Sequence, residues 1–375
     1  METKFSLKDL LFNKEKIEKT SNEIFFVYPQ FDKKKFTQHT LAKFPELELK
    51  ERITWIAENL KQYLPDNYKK AVTMLFKSLP PPNDPTKTDN DFGDFIYAPY
   101  AEFVARYGCK KEYVQFSLNA LREITMRFSA EDSIRYFINA FPDETMQELE
   151  KWSKDENYHV RRLASEGIRP KLPWSQKIII PITKPLPILN NLFCDKTRYV
   201  TRSVANHIND ISKIDPDLAI DTLDRWQKSE KQDPKEMDYI IRHALRALVK
   251  QGNKKAIEFL NFSSDPHVAL TDFSIRNDPV KIGDSLEFSL TIVPQKNERL
   301  FIDYVIYFWS NKGHNNNKKV FKLKQLEVQK EKEIVLSKRH LLLANMTTRK
   351  MYPGRHDIEI QINGKKMGRR EFEVV

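Results

Sequence analysis

The spacing of apolar residues along this chain of 375 residues changes near residue 262. Upstream, apolar residues recur every three or four positions, as in residues 53–64, which is the period of a helix with one buried face. Downstream, apolar and polar residues alternate, as in residues 285–293 and 356–362, which is the period of a β-strand. We therefore predict an all-α domain at residues 1–262 and an all-β domain at residues 263–375.

Turn signals divide the β part into short strands. Glycine-containing turns at residues 282–284, 352–354 and 362–364 separate the alternating runs. Six or seven short strands in about 110 residues are typical of an immunoglobulin-like sandwich. The predicted fold is mainly α, with a helical region followed by an all-β immunoglobulin-like sandwich.

One helical pattern occurs three times in the α part. Val160, Val200 and Ile241 lie 40 and 41 residues apart, and each is followed by arginine and then by small or aliphatic residues one turn later. A period of this length, with a further helix before each copy, is typical of HEAT-like repeats. Stacked helix pairs of this kind form a solenoid with a groove suited to a long ligand.

The register of the repeat places charged side chains on one face. Arg162, Glu166 and Arg169 follow one another at i, i+4 and i+7, which is one side of a helix. The later copies supply the same face with Arg202, Asn206, Asp210, Arg242 and Arg246. Two interpretations remain open: a ladder of arginines that binds phosphates, with carboxylates inside it, or ordinary surface pairs worth a few tenths of a kcal/mol each.

Two further residues also have two interpretations each. Trp174 follows Pro173 on a stiff turn, where its ring would either stack on a nucleobase or plug the core between repeats. Glu131 lies between Ser129 and Asp132, which resemble a capping box with Ser129 as the N-cap. Spacing alone therefore assigns Glu131 to an ordinary first helical turn.

Charge and composition narrow the class of protein. The 63 basic and 52 acidic residues give a net charge of +11, which favours an anionic partner. Residues 266–375 alone contain 20 basic and 13 acidic residues, a net charge of +7. The chain has two cysteines, so neither a disulfide framework nor a cysteine-based zinc site is expected. The histidines do not cluster at ligand spacing, and we predict no metal and no cofactor.

Neither a signal peptide nor an apolar run near 18 residues is present, and we expect a soluble, cytoplasmic protein that does not bind membranes.

At these motifs the sequence resembles the AlkC-type DNA glycosylases, a bacterial alkylation-repair family built from HEAT-like repeats. The resemblance is carried in the α part by residues 91–99, 159–174, 202–211 and 242–246. In the β part it is carried by residues 319–324, 336–340 and 347–356. It covers nearly the whole chain, including the immunoglobulin-like domain.

The resemblance implies a DNA glycosylase for base excision repair. The family removes 3-methyladenine, and AlkC members also 3-methylcytosine, from duplex DNA without full base flipping. By this resemblance the catalytic carboxylates are Glu131, Glu166 and Asp210, which reverses the interpretation of Glu131 from spacing. Trp174 would lie near the lesion, and Arg162 and Arg169 would hold the DNA backbone. Asp132 stands where the family pattern has an aromatic residue after the glutamate.

Carboxylates suit this chemistry. A base methylated at N3 is already cationic and leaves with little acid assistance, so the enzyme must stabilise the oxocarbenium-like sugar and align a water. Our hypothesis is that Glu166 and Asp210 flank the lesion sugar while Glu131 orients the water or shares the charge.

We further predict that the basic β domain closes around the duplex, using the residues Lys338, Arg339, Arg349 and Arg355. The expected partner is alkylated double-stranded DNA, bound by a monomer without an obligate protein partner. The alternative is a non-enzymatic scaffold in which the repeats bind DNA or protein, since most helical solenoids are binders.

Overall fold

A computed structural model describes residues 6–87, 92–310, 317–346 and 349–375. The helical part comprises α1 Leu7–Leu11, α2 Lys14–Val27, α3 Lys33–Ala42, α4 Leu49–Tyr63, α5 Tyr68–Ser78, α6 Ala98–Gly108, α7 Val114–Thr125, α8 Glu131–Ala140, α9 Pro142–Trp152, α10 Tyr158–Glu166, α11 Leu186–Leu192, α12 Arg198–Ser212, α13 Pro216–Lys228, α14 Pro234–Lys250 and α15 Lys254–Phe259. Short 3-10 turns lie at Phe44–Glu46, Phe95–Tyr97 and Lys111–Tyr113. In the described ranges, no helix has the length and apolar character needed to cross a membrane.

The repeat register is confirmed. Each copy of the motif lies on the second helix of a pair: α9 and α10, α11 and α12, α13 and α14. Val160, Val200 and Ile241 are all buried, and α10 packs directly against α12. The spacing of about 40 residues arises because each repeat places one apolar residue against the neighbouring pair of helices.

Ion pairs between neighbouring repeats accompany this packing. Arg122 at the end of α7 binds Asp155 at 2.7 Å, and Arg161 of α10 binds Asp195 at 2.5 Å. The acceptors are partly buried and also accept backbone N–H bonds at the start of the next helix, as Asp155 does from Asn157 at 2.9 Å. Each pair therefore joins a helix of one repeat to a helix start in the next.

The predicted sandwich is also confirmed. Its strands are β1 Val268–Ile275, β2 Ser285–Pro294, β3 Glu298–Phe308, β4 Asn317–Val328, β5 Ile334–Leu341, β8 Gly354–Ile362 and β9 Lys365–Val374, with two-residue strands β6 Asn345–Met346 and β7 Arg349–Lys350 between β5 and β8. One antiparallel sheet has the order β1-β2-β5 and the other β4-β3-β8-β9. Alternate residues of both sheets, such as Leu290 and Ile360, fill the apolar core between them.

The chain divides into two compact units. One contains Met1–Ile214 and Thr222–Ala244, and the other contains Asp215–Asp221 and Leu245–Val375. In the second unit, the end of the helical region packs on the sandwich: the rings of Phe262 and Phe301 meet edge to face at 5.1 Å. The domain boundary at residues 262–263, drawn where helix gives way to strand, stays a prediction.

Candidate active site

Six charged side chains of alternating sign form one connected series, which we call the charge chain. In order they are Glu131, Arg162, Glu166, Arg169, Asp210 and Lys213. They come from the start of α8, from α10 and the segment after it, and from the end of α12. Three carboxylates are thus matched by three cations in one small volume.

Arg162 joins the first two carboxylates of the charge chain. Its Nη1 lies 2.6 Å from Oε2 of Glu131, and its Nη2 lies 3.7 Å from Oε1 of Glu166. The hydroxyl of Ser129 donates to the same oxygen of Glu131 at 2.7 Å. Arg162 also donates to the Ser129 hydroxyl at 2.8 Å, so one oxygen of Glu131 is held from two sides.

Arg169 joins the second and third carboxylates. Its Nη1 lies 2.6 Å from Oε1 of Glu166, and its Nε donates to Oδ2 of Asp210 at 3.0 Å. Lys213 reaches the other oxygen of Asp210 at 3.2 Å. Ser203 of α12 donates to the second oxygen of Glu166 at 2.6 Å, so every carboxylate oxygen of these two residues has a donor.

The sequence interpretation did not predict how deeply these charged side chains are buried. The register correctly brings Arg162, Glu166 and Arg169 together, but all three are buried. The guanidinium groups of Arg162 and Arg169 bind carboxylates and are mostly buried, so these two residues do not form an exposed ladder; their contact with the DNA backbone stays a prediction. Among the three predicted catalytic carboxylates, Glu131 is the accessible one, with 27 % of its side chain exposed against 6 % for Glu166 and 2 % for Asp210.

Burial and charge act in opposite directions on Glu166. Burial alone would raise the pKa of this carboxyl, but the charges of Arg162 and Arg169 and the hydrogen bond from Ser203 outweigh it and lower the pKa below its usual value. Burial likewise disfavours the charged form of Arg162, yet Glu131 and Glu166 raise its pKa. The charges of Arg162 and Glu166 are therefore maintained by their neighbours.

The capping box predicted at the start of α8 is wrong. The helix begins at Glu131 with Ala130 at the N-cap, and the hydroxyl of Ser129 binds the carboxylate of Glu131 instead of a backbone N–H. Asp132 pairs with Lys50 of α4 at 3.0 Å. Ser129 does not cap the helix because Arg162 donates hydrogen bonds to both Ser129 and Glu131, and such charge-assisted hydrogen bonds are stronger than an ordinary N-cap hydrogen bond.

Trp174 lies on the surface, so the interpretation of its ring as a core plug is wrong. Its side chain is 81 % exposed, and its backbone has a φ of 64°, in the left-handed region that bulky residues rarely adopt. The carbonyl of Trp174 accepts a hydrogen bond from Lys50, and the hydroxyl of the next residue, Ser175, binds Asp132. These contacts hold the strained turn next to the start of α8.

Arg135 fixes the rest of this turn, a role that could not be predicted from its pattern, which indicates only a charged position in a helix. The side chain is fully buried. It donates to the carbonyls of Gly167 and Arg169 at 2.9 Å and of Gln176 at 2.6 Å. We call residues 167–177 the tryptophan loop. Arg135 holds both ends of the tryptophan loop, and so positions Arg169 and Trp174 together.

The remaining predicted residues of the helical part lie on α12 and α14. Arg202 and Asn206 are partly exposed on α12, and Asn206 bonds His243 of α14 at 2.8 Å. Arg242 is exposed and pairs with Asp238 at 2.6 Å, while Arg246 is partly exposed. Their contact with DNA stays a prediction.

The predicted clamp residues of the sandwich do not share one sheet. Lys338 and Arg339 lie on β5, at the edge of the three-stranded sheet, whereas Arg355 lies on β8 of the four-stranded sheet. Arg339 pairs with Glu287 at 3.0 Å, and Arg355 with Glu371 at 3.5 Å. The side chain of Arg349 lies outside the described part of the chain. Among the described residues, no group of three or more histidines, cysteines or carboxylates is arranged to hold a metal ion.

Comparisons with known proteins cover both parts of the chain. Residues 269–375 match the family model described as the C-terminal immunoglobulin-like domain of the uncharacterised protein YhaZ. The YhaZ protein of Bacillus subtilis strain 168 is 33 % identical over 368 residues, which is 97 % of this chain and 98 % of YhaZ. In a solved structure, the Pseudomonas fluorescens alkylpurine DNA glycosylase AlkC, bound to DNA containing an abasic site analogue, is 32 % identical to this chain. It covers 99 % of this chain and all of that one, with a TM-score of 0.88.

His207 makes fold stability sensitive to pH. Its ring is buried between α12 and α10, with Nδ1 bonded to the carbonyl of Ser165 at 3.2 Å and Nε2 without a hydrogen-bond partner. Burial, assisted by the charge of Arg169, lowers its pKa from 6.5 to about 4. As the pH falls from 6.5 to 4, the unfolded chain binds a proton before the folded one. The free energy of unfolding should drop by about 3 kcal/mol across this window.

Chemical denaturation of the wild type and of His207→Asn between pH 7 and pH 4 measures the contribution of His207 to the free energy of unfolding. The variant keeps a donor for Ser165 and should lose about 3 kcal/mol less than the wild type over the window. His39→Asn, at an exposed histidine of α3, is the matched control and should follow the wild type. Parallel curves for His207→Asn and wild type would contradict the assignment.

Loss of Arg135 should free the tryptophan loop. Arg135→Met leaves three carbonyls without their donor, and we expect the free energy of unfolding to fall by about 3 kcal/mol. Under native conditions, limited trypsin digestion read by mass spectrometry should show faster cleavage after Lys171 and Lys177. Arg122→Met, at a partly exposed ion pair of α7, is the control for loss of an arginine. Equal cleavage in both variants would show that Arg135 does not hold the loop.

Proposed function

This chain belongs to the family that contains YhaZ and the alkylpurine DNA glycosylase AlkC, and we propose that it excises cationic N3-alkylated bases from duplex DNA. It is a DNA glycosylase, which rules against the non-enzymatic scaffold. The substrates we propose are 3-methyladenine first and 3-methylcytosine second, in base excision repair. The observation that supports this choice is the charge chain, which places three carboxylates within a basic protein.

The substrate charge explains why acids are useful here. An N3-methylated base carries a positive charge that it loses on leaving the sugar, so the departing base needs little proton donation. Positive charge develops on the sugar as the bond breaks, and a fixed carboxylate stabilises it most strongly where water is excluded. A carboxylate also orients the water that attacks the sugar.

Accessibility changes the roles that we assign to the three acids. Glu131 is the carboxylate that a bound nucleotide reaches first, because the other two are covered. We assign to Glu131 the contact with the lesion sugar and its attacking water. Glu166 and Asp210 act next to it, by holding Arg162 and Arg169 and by keeping the potential at the sugar negative.

DNA binding would use the exposed groups around this site. The ring of Trp174 is free to stack near the lesion, and Arg202 and Arg242 are candidates for phosphate contacts on the neighbouring helices. The lesion would be cleaved without full extrusion into an enclosed pocket, by a monomer in the cytoplasm. In the sandwich, Lys338 and Arg339 lie on β5, and the lysine-rich edge strand β4 of the other sheet contacts β5 through the rings of Phe321 and His340; the two strands would give a second basic surface.

The role of the carboxylates can be measured as single-turnover release of 3-methyladenine from methylated duplex DNA. Glu131→Gln should slow release by about 10²–10³, the cost of one well-placed electrostatic group, with little loss of thermal stability because the residue is partly exposed. Asp210→Asn should lower both the rate and the stability, since it leaves Arg169 and Lys213 short of a buried partner.

Glu148→Gln is the control for loss of a carboxylate. This mostly buried residue of α9 pairs with Lys151 outside the charge chain, so the variant should release 3-methyladenine at the wild-type rate. A wild-type rate in Glu131→Gln would refute the role given to that residue. Release of no alkylated base by the wild type would refute the proposed substrate.

The contribution of the sandwich can be read from the salt dependence of DNA binding. Each phosphate contact contributes about 0.9 to the slope of log affinity against log salt. Lys338→Gln and Arg339→Gln should each reduce the slope by about 1, in fluorescence anisotropy with a fixed duplex. Arg355→Gln, in the other sheet, is the comparison. If Arg355→Gln reduces the salt slope equally, the phosphate contacts are not confined to β5. If the slope is unchanged in all three variants, the prediction that the sandwich contacts the DNA is wrong.

A further inference from the structure

An open cleft of about 440 Å³ has Glu131 and Trp174 among its lining residues, and its apolar walls beyond these two residues have no role in the mechanism above. We call it the aromatic cleft. Its walls come from α4, from the segment before α6 and from the end of the α7–α8 connection, and its rim includes the tryptophan loop. The residues that define it are Ile53, Phe92, Phe95, Ala98, Phe128 and Trp174.

Aromatic rings dominate the walls. Phe95 and Phe128 contact each other with ring centroids 4.7 Å apart, which fixes both on one side. Phe92 and Trp174 are among the exposed large apolar side chains of the described residues, at 50 % and 81 %. Exposed rings bordering an apolar cleft offer flat surfaces on which a planar ligand can stack.

The charges at the cleft exclude an anionic ligand. The residues Glu102, Glu131 and Asp132 line it, against one lysine, Lys50. That ammonium is already bound to Asp132 and to the carbonyl of Trp174. A phosphate would therefore meet carboxylates without a free cation, whereas a planar ring that is neutral or positive would not be repelled.

Phe92 connects the aromatic cleft with the charge chain. Its ring packs edge to face on Tyr199 at 5.4 Å, and the guanidinium of Arg162 lies 5.7 Å from the Phe92 ring centre and 4.6 Å from that of Tyr199. The same Arg162 binds Glu131, which lines the cleft. Because Arg162 contacts both Glu131 and Phe92, a group released at Glu131 lies close to an aromatic wall of the cleft.

We propose that the aromatic cleft binds the alkylated base after it has left the sugar, as a product site that stacks the free purine. The inference rests on the proposed function for the identity of the ligand. The volume exceeds that of a single purine, so one base fits without displacing the walls. Retention there would separate the base from the sugar cation and prevent re-formation of the bond.

The test uses free 3-methyladenine as the probe and a variant that fills the cleft. Ala98 lies at the start of α6, is partly exposed and lines the cleft from a helix that contributes no member of the charge chain. Ala98→Leu should weaken binding of free 3-methyladenine at least tenfold, measured by isothermal titration calorimetry without DNA. Ile53→Phe fills the cleft from α4 and should do the same, which covers the case that one variant folds poorly. Ala42→Leu, exposed on α3, is the matched control.

Activity assays distinguish a released base from one still attached to DNA. Added 3-methyladenine should inhibit multiple-turnover release by the wild type, with the inhibition constant raised at least tenfold in Ala98→Leu. Single-turnover release at low product should stay within twofold of wild type. A large single-turnover defect would overturn the proposal, because it would mean that the base enters the cleft before the bond breaks.

Failure of this inference is distinct from failure of the proposed function. Calorimetry of the free base does not require turnover, and base release does not require retention. Wild-type protein that releases 3-methyladenine yet does not bind it at millimolar concentration overturns the product site alone. Inorganic phosphate should not compete with the base, and competition by phosphate would also overturn the proposal.

Discussion

The buried series of acids and bases is the constraint on which the rest of the site depends. The carboxylates of Glu166 and Asp210 can be buried in their charged form because arginines pair with them: Arg162 and Arg169 with Glu166, and Arg169 with Asp210. The same pairs compensate the burial of the two arginines. Removing Glu166 or Asp210 leaves a mostly buried arginine short of a partner. The series therefore couples α8, α10 and α12 more tightly than apolar packing alone would, because its bonds require fixed directions.

This coupling also reconciles the composition with the chemistry. A net charge of +11 attracts DNA from a distance, but the stabilisation of a cationic sugar needs negative charge at one point. The charge chain has as many cations as acids, so it adds little to the long-range field. At short range its two ends differ in sign, since one partly exposed end is a carboxylate, Glu131, and the other is an ammonium, Lys213.

The elements and the register of the repeats could be read from the sequence because they depend on periodicity. Val160 and Val200 face the core once per repeat, and the strands alternate with a period of two. Depth could not be read, because i, i+4 spacing places Arg162 and Glu166 on one face whether that face is open or covered. The role of Arg135 and the aromatic cleft were missed for a related reason. Their contacts join segments 32 to about 120 residues apart, and local pattern carries no information on such pairs.

Trp174 shows what this arrangement costs the protein in adaptability. Glycine would adopt its φ of 64° without strain, and selection for thermal stability alone would favour that replacement. The ring would be lost with it. Selection of variants for thermal stability and selection for glycosylase activity would therefore favour different residues at position 174. A library sorted by melting temperature would lose the tryptophan. At this position the stability of the fold and the exposed aromatic surface cannot both be greatest.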